Sequence, residues 1–339
     1  DVLRQLVSHF GATVVLSTAT QPTSGRRELA WLDEARDLVP DPGRFFAELE
    51  RVTWHLTGEP WGPERVGAEL ARSPQALAIL NTRKEAMRVL AASPSDSHHL
   101  STLMCPAHRR DVLARVRSDL QEGKQCRVVS TQVVEAGVDI DFPVVLRALG
   151  PLDSMIQAAG RCNREGRLDR GTVVVFEGGQ LPSGFYCTAT SVTKSLLGEG
   201  PVDLNDPEVA GRYFCSLYSN VNTDRERVQE ARRRFGYEEV ANRFRMIEDE
   251  GTPVVVRAFG QAADVIDSLD RRAELGTSRQ VWRDLQPYTV NLRRAELELS
   301  RGRGWLSEGG VLTVWTGPYD ERFGVGAVLM EEMDASPTA

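Results

Sequence analysis

The sequence predicts an α/β fold: a parallel β-sheet with helices on both faces, followed by a smaller α+β domain. Three observations carry this reading. Residues 12–176 alternate short apolar runs with amphipathic runs of helical period, the pattern of strand–helix–strand units. Gly178, Gly179, Pro182 and Gly184 then interrupt the alternation and mark a boundary. Beyond it, helical patterns dominate to about Arg245 before short strand-like runs return. At roughly 100–200 residues per domain, 339 residues leave room for about two domains.

In chain order, Leu3, Leu6, Val7 and Phe10 form the apolar stripe of a helix tail, and the absence of an initial Met suggests a cut end. Strands are expected at 13–16, 51–56, 76–80, 100–104, 127–130, 144–149 and 172–176. Helices are expected at 64–73, 83–92, 109–122 and 154–161. Residues 21–42 carry Pro22, Gly25, Pro40 and Pro42, which break regular structure and suit a linker. After the boundary, strands are expected at 253–258, 288–292, 311–315 and 325–329, and a helix near 262–272.

Composition narrows the function classes. With 41% hydrophobic and 26% charged residues, the chain can bury a core. No apolar run approaches the ~18 residues of a membrane span, and no signal peptide opens the sequence. None of the five cysteines lies in a C-x-x-C pair, so neither a zinc site nor a disulfide framework is indicated, and a reducing cytosol suits them. A net charge of −7 argues against coating nucleic acid by bulk charge, yet a local groove of amides and a few Arg remains compatible with it.

Four segments carry chemistry. Leu16-Ser17-Thr18-Ala19-Thr20-Gln21-Pro22 follows a strand-like run; hydroxyls at a strand's carboxyl end line the crevice of an open α/β sheet, although such turns are commonly plain loops. In Ala78-Ile79-Leu80-Asn81-Thr82-Arg83 a buried strand meets a helix start, a position suited to a backbone phosphate or to a simple N-cap at Asn81 or Thr82. In Ser130-Thr131-Gln132-Val133-Val134-Glu135-Ala136-Gly137-Val138-Asp139, Gly137 allows close backbone approach. Asp139 can accept from a ribose hydroxyl, and Thr131 and Gln132 can meet phosphates. In Gln157-Ala158-Ala159-Gly160-Arg161-Cys162-Asn163-Arg164, continuous helix would put Gln157, Gly160, Arg161 and Arg164 on one face, an arrangement for a polyphosphate. The competing reading is a solvated basic face.

Together, in order and spacing, these segments resemble motifs III, IV, V and VI of superfamily 2 helicases. The variants Ser-Thr-Ala-Thr-Gln-Pro, Thr-Gln-Val-Val-Glu-Ala-Gly-Val-Asp and Gln-Ala-Ala-Gly-Arg-Cys-Asn-Arg resemble the type I CRISPR-associated helicase–nuclease. So do Leu103-Met104-Cys105-Pro106-Ala107-His108-Arg109 and Pro318-Tyr319-Asp320-Glu321-Arg322-Phe323-Gly324. The resemblance is strong over 12–176 and weak over 180–339. It implies a RecA-like sheet, with the end of a first motor domain at 1–22, a linker at 23–50, a second motor domain at 51–178 and an accessory domain at 179–339. It also implies catalytic roles for Gln157, Arg161 and Arg164, and ATP contacts at Glu135, Gly137, Asp139 and Gly160. DNA contacts would fall at Thr82, Arg83, Thr131, Gln132, His108 and Arg109, and interdomain coupling at Ser17, Thr18 and Thr20. ATP and Mg2+ are the implied cofactors, with the magnesium ligands in a preceding part. Single-stranded DNA, a guide-RNA surveillance complex and that preceding helicase–nuclease part are the implied partners.

The pattern is incomplete in this chain. There is no G-x-x-x-x-G-K-[ST]; Gly123-Lys124 is followed by Gln125. Asp33-Glu34-Ala35-Arg36 lies in the linker and reads as a solvated turn. No His precedes an Asp, and the neighbours His98 and His99 are too little for a metal site. The chain by itself is therefore expected to turn over no ATP and to cut no DNA. A helicase of another superfamily 2 branch acting on RNA or DNA, and a non-catalytic binding module with a motor-like fold, are the alternatives. Arg is also dense from Arg225 to Arg245 and from Arg271 to Arg294, either as ordinary helix faces with interspersed acids or as a wall of the DNA channel.

Overall fold

The computed structural model describes residues 2–18, 20, 35–36, 38–39, 42–135, 137–222, 224–244, 251–270, 279–308, 312–327 and 329. The apolar stripe of Leu3, Leu6, Val7 and Phe10 forms α1 (Val2–Phe10), none of whose residues is buried. The strand expected at 13–16 does not form. A strand needs a neighbour for its N–H and C=O groups, and no described segment lies alongside to pair with it. Most of the expected linker, Asp33 and Glu34 included, lies outside the described residues; its last part is helical in α2 (Pro42–Glu48).

The next ten elements alternate as the sequence predicts: β1 (Val52–Pro60), α3 (Pro63–Ala71), β2 (Gln75–Ile79), α4 (Arg83–Ala92), β3 (His98–Leu100), α5 (Pro106–Gln121), β4 (Cys126–Ser130), β5 (Val144–Ala148), α6 (Leu152–Ala159) and β6 (Gly171–Glu177). The strands form one sheet in the order β1-β6-β5-β2-β4-β3, and every neighbouring pair is parallel. Parallel strands are covered on both faces, so they read as continuous apolar runs. In β2, Leu77 and Ile79 face one core with α5 and α6, while Ala76 and Ala78 face a second core with α3 and α4. Removing Leu77, fully buried at the sheet centre, would cost about 2–5 kcal/mol by the usual Leu→Ala range.

Strand β3 ends at Leu100 rather than running through 104. Ser101 diverts the chain: its hydroxyl accepts from Leu103 N at 3.2 Å and its carbonyl from Met104 N at 3.3 Å, a serine-built turn.

The first core does not stop at residue 178. Helices α7 (Phe185–Gly198) and α8 (Pro207–Asn220) lay Ala189, Val192, Leu196, Tyr213 and Leu217 against it, so the expected boundary at 178/179 divides residues that share one core. Next come α9 (Val228–Arg233), α10 (Tyr237–Arg243), β7 (Gly251–Val256), α11 (Ala262–Asp270), α12 (Arg279–Leu285), β8 (Thr289–Arg293), α13 (Arg294–Gly302), β9 (Leu306–Ser307) and β10 (Val314–Trp315). The four strands make a mixed sheet in the order β8-β7-β10-β9. The strand expected at 325–329 is absent; residues 326, 327 and 329 are helical, because Gly324 at φ +64° turns the chain away from the sheet. This unit shares a core with the first: Met87, Leu103 and Cys105 pack with Val254, Leu292, Trp315 and Val325.

Candidate functional site

The carboxyl ends of β2, β4 and β5 converge, as they do where open α/β sheets bind ligands. After β2, Thr82 is the N-cap of α4, and its hydroxyl accepts from Glu85 N at 3.1 Å. Asn81 is no cap. It is 3% exposed, donates to Leu149 O at 2.8 Å, and offers its Oδ1 to other partners. Arg83 reaches the second unit, pairing with Glu296 at 2.7 Å and donating to Asn291 O at 3.3 Å.

After β4 the chain makes one 3-10 turn, Gln132–Val134. Thr131 is buried. Gln132 Nε2 donates to Asn81 O at 3.0 Å and to the Tyr186 hydroxyl at 3.2 Å. Glu135 is buried, and its Oε2 accepts from Ser154 Oγ at 2.7 Å; burial raises its pKa, against the lowering pull of the Arg147 guanidinium. Gly137 sits at φ +71°, a left-handed conformation natural to glycine, with open space where a side chain would stand.

The fourth segment differs from its expected geometry. Helix α6 ends at Ala159 with Gly160 as its C-cap, and Asn163 adopts φ +46°. Asn163 holds this turn through its side chain, donating to Arg51 O at 3.1 Å and to Leu168 O at 2.9 Å. Gln157, Gly160, Arg161 and Arg164 therefore do not share one helical face. Arg161 turns inward at 7% exposure, donating Nε to Val134 O at 2.8 Å and Nη2 to Glu135 O at 2.6 Å. Arg164 turns outward. Its side chain is 47% exposed and pairs at 3.1 Å with Asp139, itself 78% exposed. The backbone beneath it is fixed, because Asp141 accepts from Arg164 N at 2.6 Å and from Glu165 N at 3.1 Å. The two arginines thus divide the work: Arg161 pins the 134–135 backbone, and Arg164 presents a guanidinium that can leave an exposed partner for an anion at small cost.

The remaining expected residues scatter. His108 is 2% exposed, stacks on Phe259 with ring centroids 4.6 Å apart, and pairs through Nδ1 with the Tyr319 hydroxyl at 2.9 Å, so its imidazole does not face solvent. Arg109 donates to Met104 O at 2.8 Å and to Ser101 O at 3.3 Å, and it lines a cleft of about 470 Å³ with Arg83, Thr102, Gln286, Asn291 and Arg293. Thr18 and Thr20 bond each other through the Thr18 hydroxyl at 3.3 Å, Ser17 is exposed, and the sheet does not include this segment.

His98, Asp119 and Cys126 bring three donor atoms within 4.8 Å of one another at the amino ends of β3 and β4, the opposite end from the site. His98 Nε2 lies 3.5 Å from Asp119, and burial pushes the Cys126 thiol up to about 12. Cys126 is part of the first core and lies beside the His98–Asp119 pair.

Residues 73–167 match the family model described as the CRISPR-associated nuclease/helicase Cas3, C-terminal. That stretch of the chain is similar to the C-terminal part of Cas3. A Cas3 of Haloferax volcanii is 53% identical over 51 residues, covering 14% of this chain and 5% of that protein. A Cas3 of Methanothermobacter thermautotrophicus is 25% identical over 190 residues, covering 51% of this chain and 23% of that protein. The chain thus spans under a quarter of the length of these Cas3 relatives. The crystal structure of T. fusca Cas3 with AMPPNP overlays 81% of this chain and 42% of its own, with 19% identity and a TM-score of 0.50, a likeness of RecA-like fold. Thr82 to Arg164 lie within the matched Cas3 segment; Ser17–Thr20 and the mixed sheet lie outside it.

Sequence reasoning missed Arg147, Ser154, Tyr186, Tyr319 and Arg322 as members of these bonding networks. One signal was present: Arg147 is a charge inside the apolar strand Val144-Val145-Leu146-Arg147-Ala148. Among the described residues no helix is long and apolar enough to cross a membrane.

Proposed function

We propose that this chain supplies the second motor domain and the closing C-terminal domain of an ATP-driven DNA helicase coupled to a nuclease in CRISPR interference. The observation that carries the proposal is the pair of arginines, one buried to fix the loop after β4 and one presented beside Asp139 at the carboxyl edge of the sheet. That geometry suits a nucleotide bound between two motor domains, and a binding module would have no use for it. The exposed apolar stripe of α1 suits an element that packs on a first motor domain. That first domain would bring the phosphate loop and the magnesium carboxylates.

In this reading Arg164 is the arginine that stabilises charge on the transferring phosphoryl group. Gly137 lets the nucleotide approach the backbone, Asp139 releases Arg164 and accepts from the ribose, and Glu135, Gln157 and Gly160 shape the same edge. Thr82, Arg83, Thr131, Gln132 and Arg109 hold a single strand by its backbone without reading bases, and the buried His108 supports this edge only by packing on Phe259 and Tyr319. Ser17, Thr18 and Thr20 couple the two motors. A guide-RNA surveillance complex would recruit the enzyme.

The test is ATP turnover in the protein carrying both motor domains. Arg164→Ala should lower DNA-stimulated turnover by ~10³-fold or more without shifting the unfolding midpoint. Arg161→Ala should lower both turnover and stability, because it strands two buried carbonyls. Near-normal turnover in Arg164→Ala would overturn the assignment. Stimulation by RNA and not DNA would place the enzyme in another helicase branch, and no turnover in the wild type would leave a binding module.

A further inference from the structure

Arg147 lies inside β5 with none of its side chain exposed. Its neighbours in the strand, Leu146 and Ala148, are core residues, and an apolar side chain there would avoid desolvating a charge. What surrounds Arg147 instead is a closed polar network joining four chain segments. Nη1 donates to Asn81 Oδ1 at 2.8 Å and to Ala148 O at 2.7 Å. Nη2 donates to Ser154 Oγ at 2.8 Å and to the Tyr186 hydroxyl at 3.1 Å. Ser154 passes its own proton to Glu135 Oε2, and Tyr186 donates to Asn81 Oδ1 at 2.7 Å while accepting from Gln132.

The two ends of this network matter. On one side it holds Glu135, whose carbonyl anchors Arg161 beneath the presented Arg164. On the other it holds Gln132, proposed for the DNA backbone, and Asn81, the buried residue just before Thr82 and Arg83, which are proposed for the same backbone. Gln132 opens and Glu135 caps one 3-10 turn; the Glu135 side chain meets the Arg147 guanidinium directly, and the Gln132 side chain reaches it through the Tyr186 hydroxyl. Gly150 completes the cage. A Cβ there would stand 2.8 Å from the Tyr186 hydroxyl, 3.1 Å from Arg147 Nη2 and 3.3 Å from Asn81 Oδ1. The cage also keeps capacity in reserve. Arg147 Nε and Glu135 Oε1 have no hydrogen-bond partner among the described residues, although Oε1 lies 3.1 Å from Nη2. Glu135 thus already meets Arg147 directly, as an ion pair, as well as through Ser154, and the unspent Nε donor permits a second arrangement in which Nε takes over the carboxylate. Coupling between two sites requires such a two-state element.

We infer that Arg147, clamped by Tyr186 and Ser154, is a positioning residue that transmits strand binding at Thr82 and Gln132, by way of Asn81, to the nucleotide-side loop at Glu135 and Arg161. The inference rests on the motor reading above. It adds that the helical layer after the motor sheet takes part in coupling through one hydroxyl, Tyr186 on α7.

Two mild substitutions perturb the cage without removing a residue placed at either site. Tyr186→Phe deletes only the hydroxyl, and Gly150→Ala inserts one methyl. In the protein carrying both motor domains, each should leave DNA-free ATP turnover and the ATP KM within about twofold of wild type. Each should also cut the ratio of DNA-stimulated to DNA-free turnover by tenfold or more. Arg147→Lys, which keeps the charge and loses the fork, should abolish stimulation. Tyr186→Phe and Gly150→Ala proteins that keep the wild-type stimulation ratio would overturn the inference, leaving the cage a structural device. A fall in DNA-free turnover equal to the fall in stimulated turnover would overturn it too, since that is loss of fold or chemistry and not of coupling. A wild-type protein that turns over ATP without DNA stimulation, or not at all, would instead sink the motor reading, and the inference with it.

Discussion

His99 sets a pH limit that a single side chain can test. It lies in β3 at 1% exposure, with neither ring nitrogen hydrogen-bonded among the described residues, and burial lowers its pKa to about 4; the Arg322 backbone pulls the other way, and the charges of His108 and Arg322 add to the lowering. In the unfolded chain the imidazole takes its proton near 6.5. Between those values the unfolded state binds the proton that the folded state refuses. Stability is therefore full above 6.5 and drains as pH falls toward 4, by up to about 3 kcal/mol at ~1.4 kcal/mol per unit. Urea midpoints of His99→Leu and wild type measured from pH 7.5 to 4.5 should diverge, with the variant losing less on acidification. Parallel curves would remove His99 from the account. At this scale the sequence was readable where a residue acts on its own neighbours. Thr82 as N-cap follows from strand-then-helix spacing. Arg147 does not, because its partners Asn81, Glu135, Ser154 and Tyr186 come together only through the fold, and the burial of His108 depends on Tyr319 and Phe259 far along the chain.

Among the elements, the turn through Asp320–Gly324 fastens the mixed-sheet unit to the parallel sheet. Arg322 donates to Pro94 O at 2.8 Å, Leu90 O at 3.0 Å and Ser97 O at 3.3 Å, closing the carboxyl end of α4. The Tyr319 hydroxyl meets Cys105 N at 3.2 Å, and Val325 N donates to Leu103 O at 3.0 Å. Gly324 permits this approach. At φ +64° a Cβ would be strained, and it would press on the Leu103 carbonyl, which is backbone and cannot yield. Gly324→Ala should cost at least about 2 kcal/mol, from left-handed strain plus displaced packing. Gly302→Ala, with open space around it at the end of α13, should be neutral or stabilising by up to about 1 kcal/mol. Equal melting temperatures for both variants would show that the turn does not fasten the unit. Pro318 to Gly324 drew notice in the sequence as a family-like string, but its role as a fastener is a matter of tertiary packing. The three misplaced strands have the same origin. Residues 13–16, 100–104 and 325–329 are apolar enough to be strands, yet strand formation depends on partners, on the Ser101 turn and on Gly324, none of which periodicity reports.

At the scale of the whole molecule, the proposed function requires an acidic protein of net charge −7 to hold a polyanion. The alternation of strands and helices over 51–176 made the parallel sheet legible, because covered parallel strands are apolar throughout and their helices are amphipathic. The cleft was not legible, because Arg83 and Arg109 precede Arg293 by roughly two hundred residues in sequence. The arginine-rich stretch of α9 and α10 is largely self-neutralised: Arg227 pairs with Glu230, and Arg234 and Arg243 pair with Glu239. Arg245, Arg271 and Arg272 lie outside the described residues. The cleft between the two units is lined by Arg83, Arg109 and Arg293, and no acidic residue is among its described lining; nearby Glu296 is engaged by Arg83 and by Arg293 N. A strand crossing there would release counterions from its phosphates. Removing one arginine–phosphate pairing should flatten the slope of log K against log salt by roughly 0.7 for single-stranded DNA. Arg109→Gln with Arg293→Gln should therefore flatten the slope by about 1.4, while Arg232→Gln, Arg233→Gln and Arg234→Gln together should leave it within about 0.3. Slopes measured by fluorescence anisotropy between 50 and 250 mM salt decide the matter, about a Debye length of 10 Å being the range over which surface charges outside the path are felt. If the triple variant flattens the slope and the cleft pair does not, the strand runs over α9, and the cleft between the units is a joint and not a path.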